Sequence, residues 1–283
     1  MVKASVPTAK PRKRSGGPVA RSKTASPIGR QTCILVLGMH RSGTSALTRV
    51  LNLSGAMLPG DIFGPTEHNP TGHWETKRVV QWSERLLALL GSSWSDWRTL
   101  DLTRLDPGTR DQLSADVGEI LHTQYGDAAS FVVKDPRISR FPGFFIEACE
   151  AAGFDVKPIL IYRNPLEVVA SLEQRAAFWP ATMSSADGIL LWLSHNLAAE
   201  RAIRDRPHAI LSYEKLLRDW RSAIADASVN ARLEFRFDLN EIGDQIDEFL
   251  TPELRHHVRT VNDVAVDPAL RGWVNDTFEA LQV

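Results

Sequence analysis

The sequence predicts an α/β fold, a central parallel sheet flanked by helices with a helical C-terminal part. Three observations lead there. Short apolar, β-rich runs alternate with helical patterns from residue 31 onward, the order that builds a parallel sheet covered on both faces. The chain is 43% apolar over 283 residues, which allows a sizeable core and excludes disorder throughout. No clean apolar run is longer than Cys33–Leu37, far short of the roughly 20 residues that cross a bilayer.

Thr32–Leu37 reads as a strand closed by Gly38, and Ser45–Leu53 as the helix behind it. Phe131–Val133 is a second buried strand, and Phe144–Ala152 a helix that stops at Gly153. Val156–Tyr162 is a third strand despite Pro158 near its start, followed by a helix over Leu166–Arg175. Ile189, Leu190, Leu193 and Leu197 keep helical spacing within roughly residues 185–205. Ala209–Ser212 is a fourth strand before a helix at Glu214–Trp220, and the chain from about Ser222 is helical but weakly patterned. With no internal repeat and no second composition break, residues 31–283 are expected to form one domain.

The net charge of −1, from 33 Lys+Arg and 34 Asp+Glu, hides an asymmetry. Residues 1–30 carry eight basic side chains and no acid, so the other 253 residues hold a net of −9. The basic segment lacks large apolar groups and is expected to be a disordered tail. It has no apolar core of a signal peptide, and its readings are a solvated tail, an acid-free transit peptide, or a polybasic strip drawn to an anionic surface. The expected location is cytoplasmic, with membrane contact through the tail as the alternative. A mildly acidic body excludes a nucleic-acid partner. Two cysteines exclude a disulfide scaffold; Cys33 and Cys149 sit in apolar contexts and act as small hydrophobes.

The strongest local signal is Gly38-Met39-His40-Arg41-Ser42-Gly43-Thr44-Ser45, directly between strand and helix. Against the ordinary P-loop pattern, both glycines and the final hydroxyl fit, while Thr44 stands where lysine is usual. Backbone N–H groups and the positive helix end still converge on one anion, and Arg41 supplies the charge the lysine would have given. The alternative is a tight strand-to-helix turn without a ligand. A nucleoside triphosphate enzyme needs the lysine and an acidic strand end for magnesium, but the only such acid, Asp135, sits in Lys134-Asp135-Pro136-Arg137 among cations. The loop therefore suits a phosphate-like group that travels without a metal.

Arg-Ser-Gly-Thr-Ser after a strand resembles the 5′-phosphosulfate loop of sulfotransferases that use 3′-phosphoadenosine 5′-phosphosulfate; its arginine form is similar to the tyrosylprotein and bacterial carbohydrate-type branches. Three further elements follow in the family's order. Lys134-Asp135-Pro136 resembles the Lys-Asp-Pro element whose lysine neutralises the leaving phosphate. Arg163-Asn164-Pro165, with Ser171 eight residues on, is similar to the family's 3′-phosphate pair. Pro165 preorganises that helix start, and a guanidinium fork with a hydroxyl suits phosphate oxygens. Tyr213-Glu214-Lys215-Leu216 resembles the Tyr-Glu-x-Leu element near the nucleotide, although Tyr213 is equally suited to a core. Arg271-Gly272-Trp273 is only faintly similar to the family's C-terminal phosphate segment.

The resemblance implies a P-loop-type sulfotransferase domain whose donor contacts Arg41, Ser42, Gly43, Thr44, Ser45, Arg163, Ser171 and Tyr213, with Arg41 and Lys134 on the leaving phosphate and no metal required. It leaves the proton acceptor open among Glu75, His73 and Glu67, in that order. Asn69-Pro70-Thr71-Gly72-His73-Trp74-Glu75 is a turn feeding a helix and is similar to a stretch in bacterial sulfotransferases. Glu75 is alternatively a helix-capping carboxylate, His68 a turn residue and His195 a satisfied structural histidine. The histidines form no metal-ligand spacing, and adjacent His256 and His257 chelate poorly on a helix. The implied acceptor is the hydroxyl or amine of a saccharide, lipid or peptide, with carbohydrate or glycolipid favoured and the tryptophans as stacking candidates. The rival readings are a P-loop kinase-like enzyme using magnesium and ATP, and a non-catalytic nucleotide-binding protein. Deletion of residues 1–30 is expected to leave donor affinity unchanged by titration calorimetry; a large loss would tie the tail to the site.

Overall fold

A computed structural model describes residues 30–64, 72–174, 183–251 and 268–282. Four strands, β1 (Thr32–Leu37), β2 (Ser130–Lys134), β3 (Asp155–Tyr162) and β4 (Ala209–Ser212), form one parallel sheet in the order β2-β1-β3-β4. Each matches its expected run to within one residue at either end.

The helices on the sheet are α1 (Thr44–Leu53), α2 (Lys77–Leu89), α3 (Pro107–Tyr125), α4 (Pro142–Ala151) and α5 (Pro165–Glu173). They continue with α6 (Ser185–Ile203), α7 (Tyr213–Arg218), α8 (Trp220–Ala231), α9 (Gly243–Phe249) and α10 (Pro268–Ala280). Short 3-10 turns lie at Leu102–Arg104 and Pro136–Arg140. None of the helices among the described residues is long and apolar enough to cross a membrane.

Alternation along β1 explains its unbroken apolar run. Cys33, Leu35 and Leu37 face one core with Phe131, Val133 and Leu160, while Ile34 and Val36 face a second core with Val132, Ile159 and Ile161. The first core is closed by α2 through α6 and by α10; the second is closed by α1 and α7 through α9. Full burial of each such side chain is worth about 1.5–3 kcal/mol. Pro158 is tolerated because it lies ahead of the β3–β4 pairing, which starts at Ile159↔Ala209.

Two elements depart from the expectation. The helix at Glu214–Trp220 is two helices, α7 and α8, broken at Asp219. That residue is extended (φ −150°), and its carboxylate accepts from the Ser222 N–H at 3.1 Å, capping α8. The pattern reading also omits α3. Asp106 caps it by accepting from the Thr109 N–H at 3.0 Å, Pro107 occupies its first turn, and Leu113, Val117, Leu121 and Tyr125 form its buried stripe.

Because all four strands run the same way, their carboxyl ends open at one edge. β1 is paired with β2 on one side and β3 on the other, so the chain's connections diverge around it. A crevice beside the ends of β1 and β3 is where an open parallel sheet receives a ligand.

Candidate active site

The loop after β1 is held in a shape that its sequence can adopt only at cost. Gly38 has φ 144°, and a Cβ there would lie 2.3 Å from the Ile161 carbonyl oxygen. Gly43 has φ 91°, and a Cβ there would lie 2.2 Å from the Tyr213 ring. Between them Arg41 takes a left-handed φ of 70°, and Trp74 nearby in sequence to Glu75 takes 56°. Non-glycine residues hold such angles only where surrounding structure imposes them, typically around ligand sites. The turn after β2 supplies a brace, since Ser139 Oγ accepts from the Gly38 N–H at 2.9 Å.

Side chains of this loop point to an anion. Ser42 is fully buried and its hydroxyl has no hydrogen-bond partner among the described residues, a partner that a phosphate oxygen would provide. Thr44 begins α1 and Ser45 follows it, with Ser45 Oγ donating to the His73 carbonyl at 3.1 Å. Arg41 Nε donates to Ser171 Oγ at 2.8 Å, joining the β1 loop to α5.

Arg163 closes β3 and is 7% exposed. Its Nε donates to Glu167 at 2.8 Å, one Nη reaches the Arg41 carbonyl at 3.4 Å, and its guanidinium lies 5.1 Å from the centre of the Tyr213 ring. Asn164 caps α5 by accepting from the Leu166 N–H at 2.9 Å, and Pro165 starts the helix. Tyr213, first residue of α7 after β4, thus packs on both Gly43 and Arg163. Ends of β1, β3 and β4 meet at these three residues.

Lys134 ends β2 and is 2% exposed. Its ammonium donates to the His73 carbonyl at 2.6 Å and to Glu75 Oε1 at 2.7 Å. The other Glu75 oxygen lies 3.9 Å from Arg137. Arg137 also pairs with Asp135 at 2.9 Å and Glu84 at 2.5 Å. Burial pushes the Asp135 carboxyl up, although Arg137 works against it. Thr76 occupies the position before α2, so Glu75 is the lysine's partner and not the cap of that helix.

His40 lies in the loop itself, half-buried, with its ring 5.1 Å from Trp94 and 6.2 Å from His195. Burial, then the charges of Arg137, His195, Lys134 and Arg41, hold its pKa well below the ordinary histidine value. His195 is completely buried and is held down to about 3, first by burial and then by Arg140. Its Nδ1 bonds to the Leu191 carbonyl at 2.8 Å, whereas its Nε2 has no partner among the described residues, so the expected satisfied histidine is satisfied there on one nitrogen only.

Among the sequence candidates, the structure brings together Arg41, Ser42, Gly43, Thr44, Ser45, His73, Glu75, Lys134, Arg163, Ser171 and Tyr213 through the contacts above. Glu67, His68, His256 and His257 lie outside the described residues. Arg271 is exposed on α10. Sequence reasoning does not single out His40, Ser139 or Glu167. Glu167 carries a local signal, four residues beyond Arg163 on one helix face; Ser139, distant in the chain from Gly38, carries none. Among the described residues no group of three His, Cys, Asp or Glu side chains is placed to hold a metal ion.

No family model matches the sequence, and no curated protein matches it significantly. Solved structures do. The sulfotransferase domain of the Synechococcus PCC 7002 olefin synthase superimposes with a TM-score of 0.52 at 18% identity, covering 92% of this chain and 98% of that one. A sulfotransferase domain from the curacin biosynthetic pathway gives 0.52 at 15% identity, covering 90% and 98%. The mixed layers, the parallel sheet and these near-complete superpositions agree: the chain has the fold of a sulfotransferase domain.

Proposed function

We propose that this chain is a sulfotransferase moving a sulfuryl group from 3′-phosphoadenosine 5′-phosphosulfate to a hydroxyl or amine, with carbohydrate or glycolipid as the favoured acceptor. The observation that carries the reading is the 2.8 Å bond from Arg41 to Ser171, which unites the loop suited to the 5′ group with the pair suited to a 3′-phosphate. The Ser42 hydroxyl, without a partner among the described residues, and the cations Arg41, Lys134 and Arg163 fit a donor that carries several negative charges.

In this reading the β1 loop receives the 5′-phosphosulfate through its N–H groups and Ser42, and the donor stays in line for attack. Arg41 and Lys134 stabilise charge that grows on the phosphate as the sulfur–oxygen bond breaks. Arg163 and Ser171 bind the 3′-phosphate, with Glu167 aiming the guanidinium. Glu75 is bonded to Lys134 and lies beside Arg137. We assign it the positioning of Lys134.

Calorimetric titration tests the reading. Adenosine 3′,5′-bisphosphate is expected to bind in the presence of chelator, and Ser171→Ala to weaken it by about 10- to 150-fold, the worth of one hydrogen bond to a charged group. Affinity for adenosine 5′-monophosphate should stay unchanged in that variant. Tight binding of ATP alone, with magnesium, would instead support the kinase-like alternative. Transfer of labelled sulfate to a panel of polysaccharide, glycolipid, peptide and phenol then identifies the acceptor class.

A further inference from the structure

The loop that carries Arg41 also carries an imidazole with no hydrogen bond to any described residue. Its neighbour is the imidazole of His195, bonded through Nδ1 but without a partner on Nε2 among the described residues. His40 Nε2 and His195 Nε2 are both buried and both without a partner among the described residues, on rings whose centres are 6.2 Å apart. Each orphaned polar atom costs about 1–3 kcal/mol, so two side by side call for an explanation.

Tautomer logic supplies one. The Leu191 carbonyl can only accept, so His195 Nδ1 carries the proton and donates, which leaves its Nε2 as a bare lone pair. A lone pair at that place favours a proton on His40 Nε2, the buried nitrogen of that ring without a partner among the described residues. At this ring separation the two nitrogens are no closer than about 4 Å, a gap that one bridging water or a small ring rotation closes.

We propose that His40 is the proton acceptor of the transfer reaction, and that His195 is the positioning residue that keeps the His40 proton on Nε2 and so leaves Nδ1 as the base. The proposal rests on the sulfotransferase reading. In the step, the acceptor oxygen or nitrogen forms a bond to sulfur, and the bond from sulfur to the 5′-phosphate oxygen breaks. The phosphate keeps that electron pair, and the acceptor's proton passes to His40 Nδ1. No other reactant is needed.

The charged surroundings suit a neutral base. Arg41 on the loop, Lys134 on β2, Arg137 on the following turn and His195 on α6 face His40; Arg137 and Arg140 face His195. Each opposes a proton on these rings before the acceptor arrives. Arg140 is held away from both nitrogens by donating to the carbonyls of Asp96 and Arg98. The carboxylate rival, Glu75, is already engaged by two cations.

The test uses the full chain and two readouts. In the first, labelled donor is turned over to water and to the acceptor found in the panel. His40→Gln should lower turnover by about 10²–10³-fold, within the usual range for a general base, and His40→Asn should do the same. Both should bind adenosine 3′,5′-bisphosphate within about threefold of the parent, which checks folding. Glu75→Gln should lose about tenfold at most. Turnover above a third of the parent in His40→Gln, or an equal fall in Glu75→Gln, would overturn the assignment.

In the second readout, imidazole nitrogens are titrated by NMR on histidine-labelled protein. His195→Leu removes the lone pair that keeps the His40 proton on Nε2, so the nitrogen shifts of neutral His40 should move toward the Nδ1–H tautomer, and turnover should fall. His195→Gln, whose carbonyl can take the same bond, should restore them. A His40 tautomer that stays unchanged in His195→Leu would overturn the coupling. Failure of the parent chain to bind the bisphosphate would count against the sulfotransferase reading itself, a result separable from the NMR shift.

Discussion

Lys134→Met is expected to lower sulfuryl transfer by about 10²–10³-fold, the usual loss when one preorganised charge on a developing anion is removed. Methionine keeps most of the stem's volume, so packing at the end of β2 survives. The buried ammonium has a second duty, however. It neutralises Glu75, whose side chain is 12% exposed, at 2.7 Å. Removing one partner of a buried pair can cost about 3–5 kcal/mol, because the other charge is left uncompensated. Here Arg137 at 3.9 Å limits that loss. Stability and catalysis are separated by the double variant Lys134→Met, Glu75→Gln, which leaves no stranded carboxylate. Its melting temperature should recover most of the way, while single-turnover transfer stays low. Recovery of transfer along with stability would show that Lys134 serves the fold alone.

Gly38→Ala is the most destabilising single change expected outside the core. The new Cβ would sit 2.3 Å from a backbone carbonyl of β3, and neither atom belongs to a flexible side chain that can swing away. The φ of 144° adds strain for any residue with a Cβ. Together these cost about 3 kcal/mol or more, and a chain of this size should lose roughly 10 °C in melting temperature. Urea unfolding checks the first figure. Gly60→Ala is the control, because a Cβ there meets nothing within 4 Å, and it should change stability by less than about 0.5 kcal/mol. Bisphosphate binding should be lost in the first variant and kept in the second, since any relief at Gly38 moves the loop away from Arg163.

The sheet was legible because its information is local. Each strand is a short run that is apolar on both faces, and composition marks such runs without knowledge of their partners. The candidate site was legible wherever a candidate residue ends or follows a strand: Arg41, Lys134, Arg163 and Tyr213 are all placed by such an element. Relations between strand ends were not. Ser139 under Gly38 and His195 beside His40 are made by tertiary packing, and neither has a pattern in the chain. The Glu75 ion pairs belong to the same class, so its type and position near a helix start suggested a base, while its partners suggest a holder of Lys134. Capping was legible at Asn164-Pro165 and overlooked at Asp219, where a single extended residue divides what the pattern reads as one helix.

The central place of β1 has a consequence for how the chain is made. Its partners at Thr32 are Ser130 and Asp155, so the strand leaves the ribosome about a hundred residues before either edge can be satisfied. At about 5–20 residues per second, it waits on the order of 5–20 s as an apolar ribbon with two open edges. Such a ribbon invites pairing with another nascent copy. The eight cations that precede it, with no acid among them, give every waiting copy the same sign of charge, and flanking charge of this kind opposes association.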